Sequence, residues 1–205
     1  MDYEQMSNNK VQLCGEVVEM PTYSHDILGE KFYESVLKVK RLSNSYDYIP
    51  FTISDRLLTE FSVEVGSKIN ILGQFRSYNK FVDSKNKLLL TVFVRDIVEY
   101  DEDNINIIEL SGYVCKEPVF RVTPFKREIA DILLAVNRQY NKSDYIPCIA
   151  WGRNARYANS FDVGSKISVL GRIQSRKYQK CIDGEYVEKT AYEVSINRIS
   201  LIENE

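Results

Sequence analysis

The chain repeats itself. The tetrapeptide Asp-Tyr-Ile-Pro stands at Asp47–Pro50 and again at Asp144–Pro147, 97 positions later, and it is one point on a long register. Leu13–Val17 (LCGEV) lines up with Leu110–Val114 (LSGYV), and Glu19–Pro21 with Lys116–Pro118. Val65–Ile69 and Val163–Ile167 are both VGSKI, now 98 apart, and Leu-Gly follows at 72–73 and at 170–171. Val92–Val94 meets Val194–Ile196 after a further slip in a polar stretch. Solenoid units run to roughly 20–50 residues, so a period twice as long marks a duplicated domain. The expected division is a first domain over 1–100, a short acidic connection at 101–106 (DEDNIN), and a second domain over 107–205.

Each copy shows the same order of elements. An apolar strand (10–19, 107–117) leads through a polar turn to a second strand (32–42, 128–138), and the third strand carries the repeated tetrapeptide. A short helical pattern (55–62, 153–161) runs up to Val-Gly. A fourth strand then begins at Ser-Lys-Ile, and a polar hairpin (79–87, 179–188) precedes a fifth. Five strands with one helix between the third and fourth is the order of an OB-fold, a small barrel suited to oligonucleotides. The expected class is all-β, as two tandem five-stranded OB-fold barrels.

Net charge is −2, but the halves differ. Residues 1–104 hold 12 basic and 17 acidic side chains (net −5), and residues 105–205 hold 15 and 12 (net +3). Within 116–180 there are 13 basic against 5 acidic, so a polyanion prefers the second half. The four cysteines are dispersed, with no C-x-x-C pair to hold zinc, and three of them sit in apolar runs as small hydrophobes. The polar N-terminus is expected to carry no signal peptide. No apolar stretch approaches the roughly 18 residues of a membrane span.

Strand side chains alternate faces. In the third strand of the second copy, the small apolar set Ile146, Cys148 and Ala150 suits a core, which turns Tyr145 and Trp151 outward. Arg172, Gln174, Arg176 and Tyr178 share a parity in the fourth strand, with Lys177 between, and Arg138 precedes Tyr140 beyond the second. Exposed rings beside cations have a specific use. Every nucleobase has a π-face, so stacking contributes about 1–3 kcal/mol per base without reading sequence. Arg and Lys neutralise phosphates and release counterions. The first copy keeps its core set, Ile49, Phe51 and Ile53, but has Ser54 where Trp151 stands. Tyr46, Tyr48, Arg76, Tyr78 and Phe81 are its remaining candidates, and it is expected to bind more weakly or to act partly as a scaffold.

Through these residues the second copy resembles the bacterial single-stranded DNA-binding protein family. The likeness covers nearly all of 107–202: Leu110–Gly112, Glu117–Pro118, Arg121 and Thr123, then Leu134–Arg138, Tyr145–Gly152, Gly171–Tyr178 and Glu193–Ile196. The resemblance implies that Tyr140, Tyr145, Trp151 and Tyr178 stack bases. It implies that Arg121, Arg153, Arg176 and Lys177 line the strand's path. It implies a cytoplasmic, nucleoid-associated bacterial protein of replication, recombination or repair, and a homodimer, since family members usually work as four OB-folds. The sequence departs from the pattern at its end. Ile199–Glu205 stands where family members carry a long flexible tail with an acidic tip, which puts tail-mediated recruitment of enzymes in doubt.

Other motifs carry less. His25 has no triad partner nearby, no metal-ligand cluster or cofactor motif appears, and no catalytic residue is assigned. Asp47 and Asp144, at strand starts, read as turn or cap residues. Gly66 and Gly164 read as helix C′ glycines. Gly-Ser-Lys at 66–68 and 164–166 lacks the spacing of a phosphate loop. The alternative to strand binding is an OB-fold interaction module of primosome or repair type that touches nucleic acid only weakly.

Overall fold

A computed structural model describes residues 8–82, 85–100, 104–182 and 184–202, without the side chains of residues 80–86 and 182. The first half forms β1 (Asn9–Val17), β2 (Thr22–Ile27), β3 (Glu30–Lys40), β4 (Tyr46–Ser54), α1 (Asp55–Glu60), β5 (Lys68–Val82) and β6 (Lys85–Val98). The second repeats that order as β7 (Asn106–Val114), β8 (Val119–Val122), β9 (Glu128–Arg138), β10 (Lys142–Trp151), α2 (Arg153–Ala158), β11 (Lys166–Ile182) and β12 (Glu185–Leu201). These are two tandem OB-folds. Each holds one strand more than expected, because β2 and β8 occupy segments that read as polar turns. Almost every residue of β2 and β8 is exposed, so neither shows the apolar alternation that reveals a strand.

The core follows the alternation elsewhere. Ile49, Phe51 and Ile53 on β4, and Ile146, Cys148 and Ala150 on β10, are buried. Each Ile or Phe so buried contributes about 1.5–3 kcal/mol. Leu57 of α1, with Ala155 and Ala158 of α2, is buried in the same core cluster. Closure of each barrel depends on a glycine. In the first barrel β1 pairs with β5 along its length and with β3 at its end. A Cβ at Gly15 would run into the Lys38 carbonyl, and one at Gly112 into the Ala135 carbonyl. Gly66 and Gly164 do take positive φ, 92° each, but they lie past the helix ends in separate turns. There their N–H groups donate to Val17 O and Val114 O, both at 2.8 Å.

The barrels meet along an approximate two-fold relation. β1 pairs antiparallel with β7, Asn9 opposite Leu110 through Leu13 opposite Asn106, so one twelve-stranded sheet runs through both. Asn9 bonds both backbone groups of Phe75, and Asn106 does the same to Ile173, at 2.8–2.9 Å. These asparagines are 97 positions apart, on the repeat register.

The repeated aspartates belong to the same seam, which corrects their reading as turn residues. Both are wholly buried. Asp47 accepts from Ser175 N (2.7 Å), from Arg41 Nε (2.8 Å) and Nη2 (2.5 Å), and from Arg172 Nη1 (3.2 Å). Asp144 accepts from Ser77 N at 2.6 Å and lies 3.2 Å from Arg138 Nε. Each aspartate thus crosses from its own strand, β4 or β10, to the long strand β11 or β5 of the other barrel. That is why the tetrapeptide begins with Asp in both copies.

Candidate nucleic-acid interface

The outer face of the second barrel is built on β10, β12 and β11 in that order. Ile149 lies opposite Ser195 across the parallel β10–β12 ladder, and Ser195 lies opposite Arg172 across β12–β11. Residues of that parity therefore share one side of the sheet: Tyr145 and Trp151 on β10, Glu193 and Ser195 on β12, and Arg172, Gln174, Arg176 and Tyr178 on β11. All three rings project into solvent, with Trp151 at 38% exposure, Tyr145 at 45% and Tyr178 at 37%. The Trp151 indole N–H donates to Ser195 Oγ at 3.3 Å, which fixes the ring's edge and leaves a face for stacking. Tyr140 is 91% exposed on the β9–β10 hairpin, where Tyr140 and Asn141 both take positive φ, as a type I′ turn requires.

The expected cations divide into two groups. Arg153, at the start of α2, is exposed. Arg176 has its guanidinium carbon 5.9 Å from the Tyr178 ring centre and its Nε 3.6 Å from Glu193. Lys177 points to the other side of the ribbon and pairs with Glu188 at 2.8 Å, and Arg121 pairs with Asp131 at 2.8 Å, both exposed. Exposed pairs of this kind hold by about 1 kcal/mol or less, so a phosphate can displace the carboxylate. Arg138 and Arg172 are different. Expected beside a phosphate backbone, they stand in the seam, paired with the buried carboxylates of Asp144 and Asp47 and about one third exposed. Releasing Arg138 would leave the buried Asp144 without an ion-pair partner, whereas Asp47 would keep Arg41.

In the first barrel Tyr46 and Tyr48 are exposed along β4, and Lys38 sits 4.6 Å from the Tyr46 ring centre. Tyr78 is exposed, and its hydroxyl donates to Glu34 at 3.2 Å; burial and that carboxylate push its pKa up to about 12. The side chain of Phe81 falls outside the described residues.

A further ring, absent from the sequence reading, stands on this face. Phe93 on β6 lies opposite Thr52 and Gln74, which gives it the position of Ser195 in the second barrel. The barrels have exchanged partners: tryptophan over serine in one, serine beside phenylalanine in the other. Arg76 and Arg95 stack on Phe93, their guanidinium carbons 4.2 and 4.9 Å from its centre. Burial lowers the Arg76 pKa to about 10, helped by the like charges of Arg95 and Arg138, so it stays protonated at neutral pH. Alternation along β6 offers a signal for Phe93. Arg95 carries none, because it is the extra residue where the β5–β6 register shifts between Leu72 and Gly73.

Residues 105–202 match the model of the single-strand binding protein family. Single-stranded DNA-binding protein A of Bacillus subtilis is 37% identical over 82 residues, which are 37% of this chain and 48% of that protein. Single-stranded DNA-binding protein 2 of Listeria innocua is 37% identical over 90 residues, 40% of this chain and 56% of its own. The chain thus spans about half the length of the curated relatives it matches. In fold the likeness extends further. A deletion mutant of the single-stranded DNA-binding protein from Thermus aquaticus superposes with a TM-score of 0.73 over 98% of both chains, at 19% identity.

Proposed function

Since this chain belongs to the single-strand binding protein family through its second barrel, we propose that it binds single-stranded DNA without sequence preference and protects it during replication, recombination or repair. The observation that carries this reading is the outward row of Tyr145, Trp151 and Tyr178 on one sheet face, with Arg176 and Arg153 exposed beside it. Bases stack on the rings while the cations take the phosphates, a mode that is tolerant of sequence because every base has a π-face. The role is binding, with no bond made or broken. Two chains associate to bring four barrels together, so light scattering is expected to give twice the chain mass. The setting is the bacterial cytoplasm, and among the described residues no helix is long and apolar enough to cross a membrane.

Trp151 is the only tryptophan in the chain and therefore a built-in reporter. Titration with oligo-dT is expected to quench its fluorescence, with affinity falling as salt rises because phosphate contacts release counterions. Saturating oligo-dT that left the emission unchanged at low salt would refute the reading.

A further inference from the structure

The first barrel carries two arginines, Arg76 and Arg95, that form no ion pair among the described residues. Arg76 and Arg95 both donate to one acceptor, Gln74 Oε1, at 2.8 and 3.3 Å, and both guanidinia lie on the Phe93 ring. Beneath, Phe93 packs on Phe32 at 5.3 Å, and Phe32 stacks on His25 at 5.3 Å, so the platform is braced from the barrel's end. Among the described residues neither arginine forms an ion pair, and Arg76 Nε is buried with no hydrogen-bond partner.

At the same place in the second barrel the charge is cancelled. Arg172 stands where Gln74 does and bonds Asp47, Gln174 stands where Arg76 does and donates to Glu193 at 2.6 Å, and Asn197 stands where Arg95 does. Two half-buried cations held against one ring, with a donor to spare, are arranged for an anion that arrives from outside. A guanidinium fork matches the oxygens of a phosphate, and two of them match adjacent oxygens or neighbouring phosphates.

We propose that Arg76 and Arg95, stacked on Phe93 and tied together through Gln74, form a phosphate-binding site of the first barrel that grips the sugar–phosphate backbone of the strand whose bases stack on the second. The assignment rests on the strand-binding reading above and deepens it. The barrel that has lost the tryptophan holds the strand by charge.

The test uses the full chain with Arg76→Gln, Arg95→Gln and the double substitution, probed in two ways. Oligo-dT is titrated by Trp151 fluorescence over a KCl series, and inorganic polyphosphate, which has no bases, is titrated by calorimetry at low salt. Each phosphate contact to a single strand contributes roughly 0.7 to the slope of log affinity against log salt. The double variant is expected to lose about 1.4 of that slope, keep its full quenching amplitude, and bind polyphosphate at least tenfold more weakly. Arg95 makes no ion pair with either seam aspartate. If Arg76→Gln disturbs folding, Arg95→Gln alone should still lose about 0.7. Oligo-dT binding with the wild-type slope in the double variant would overturn the site and leave the stacking reading intact. Should wild type ignore oligo-dT but bind polyphosphate through these two arginines, the strand-binding reading fails and the phosphate site stands. Polyphosphate binding unchanged in the double variant overturns the site in that case as well.

Discussion

The two barrels share a backbone and differ in where they place one ring. On the second, Trp151 stands on β10 and its indole rests on Ser195 of β12. On the first, β4 has Ser54 at the tryptophan's position, and the neighbouring strand carries Phe93 where the serine would be. The difference changes what the face can do. An indole held only at its edge offers a bare π-surface. A phenylalanine covered by two guanidinia offers charge instead. Duplication followed by exchange across adjacent strands keeps the barrel and alters its chemistry, because diagonal neighbours on adjacent strands lie within reach of one another's side chains.

The seam between the barrels sharpens the comparison first, because there the copies are expected to differ most in energy. Asp47 is bonded by two arginines and by the Ser175 N–H, so Asp47→Ala strands two partly buried cations and should cost about 3 kcal/mol in denaturant melts. A loss below about 1 kcal/mol would mean that the Asp47 cluster adds little to a seam held by β1–β7 pairing and the Asp144 contacts.

On the binding faces the effect is smaller. Tyr145→Ala should cost about 1–3 kcal/mol of oligo-dT affinity, whereas the matching Tyr48→Ala should cost less than half as much. Equal losses would break the assignment of stacking to the second barrel.

Asp144 gives the smallest effect, and it depends on pH. Burial raises its carboxyl above the ordinary range, against the pull of the Ser77 N–H and of Arg138 and Arg76. A group raised on folding adds stability below its unfolded value, near 3.9, and that contribution is lost as pH rises through the folded value. Asp144→Asn should flatten stability across that acidic window while costing about 1 kcal/mol at neutral pH. Melts of both proteins over about pH 4–7 would show the effect, and parallel profiles would contradict it.

What the sequence could reveal follows from which signals are local. The repeat, the barrel class and the parity of Tyr145, Trp151 and Tyr178 are carried by alternation within single strands, and all stand in the structure as read. Asp47 and Asp144 were misread because their partners, Ser175 and Ser77, lie on the other barrel, and no local pattern distinguishes a buried seam aspartate from a turn aspartate. The seam contacts of Arg138 and Arg172 are invisible in sequence for the same reason. Strands β2 and β8 escaped because they bury too little to show periodicity. Asn9 and Asn106 were within reach, since they keep the 97-residue register, but an asparagine that takes the place of a ladder partner looks like any polar residue.

The most direct measurement is the oligo-dT affinity of the full chain with Trp151→Ala beside Trp151→Phe, followed by anisotropy of a labelled strand at fixed salt. If the outward ring carries a base, the alanine variant loses about 1–3 kcal/mol and the phenylalanine variant recovers most of it. Wild-type affinity in the alanine variant would contradict the account.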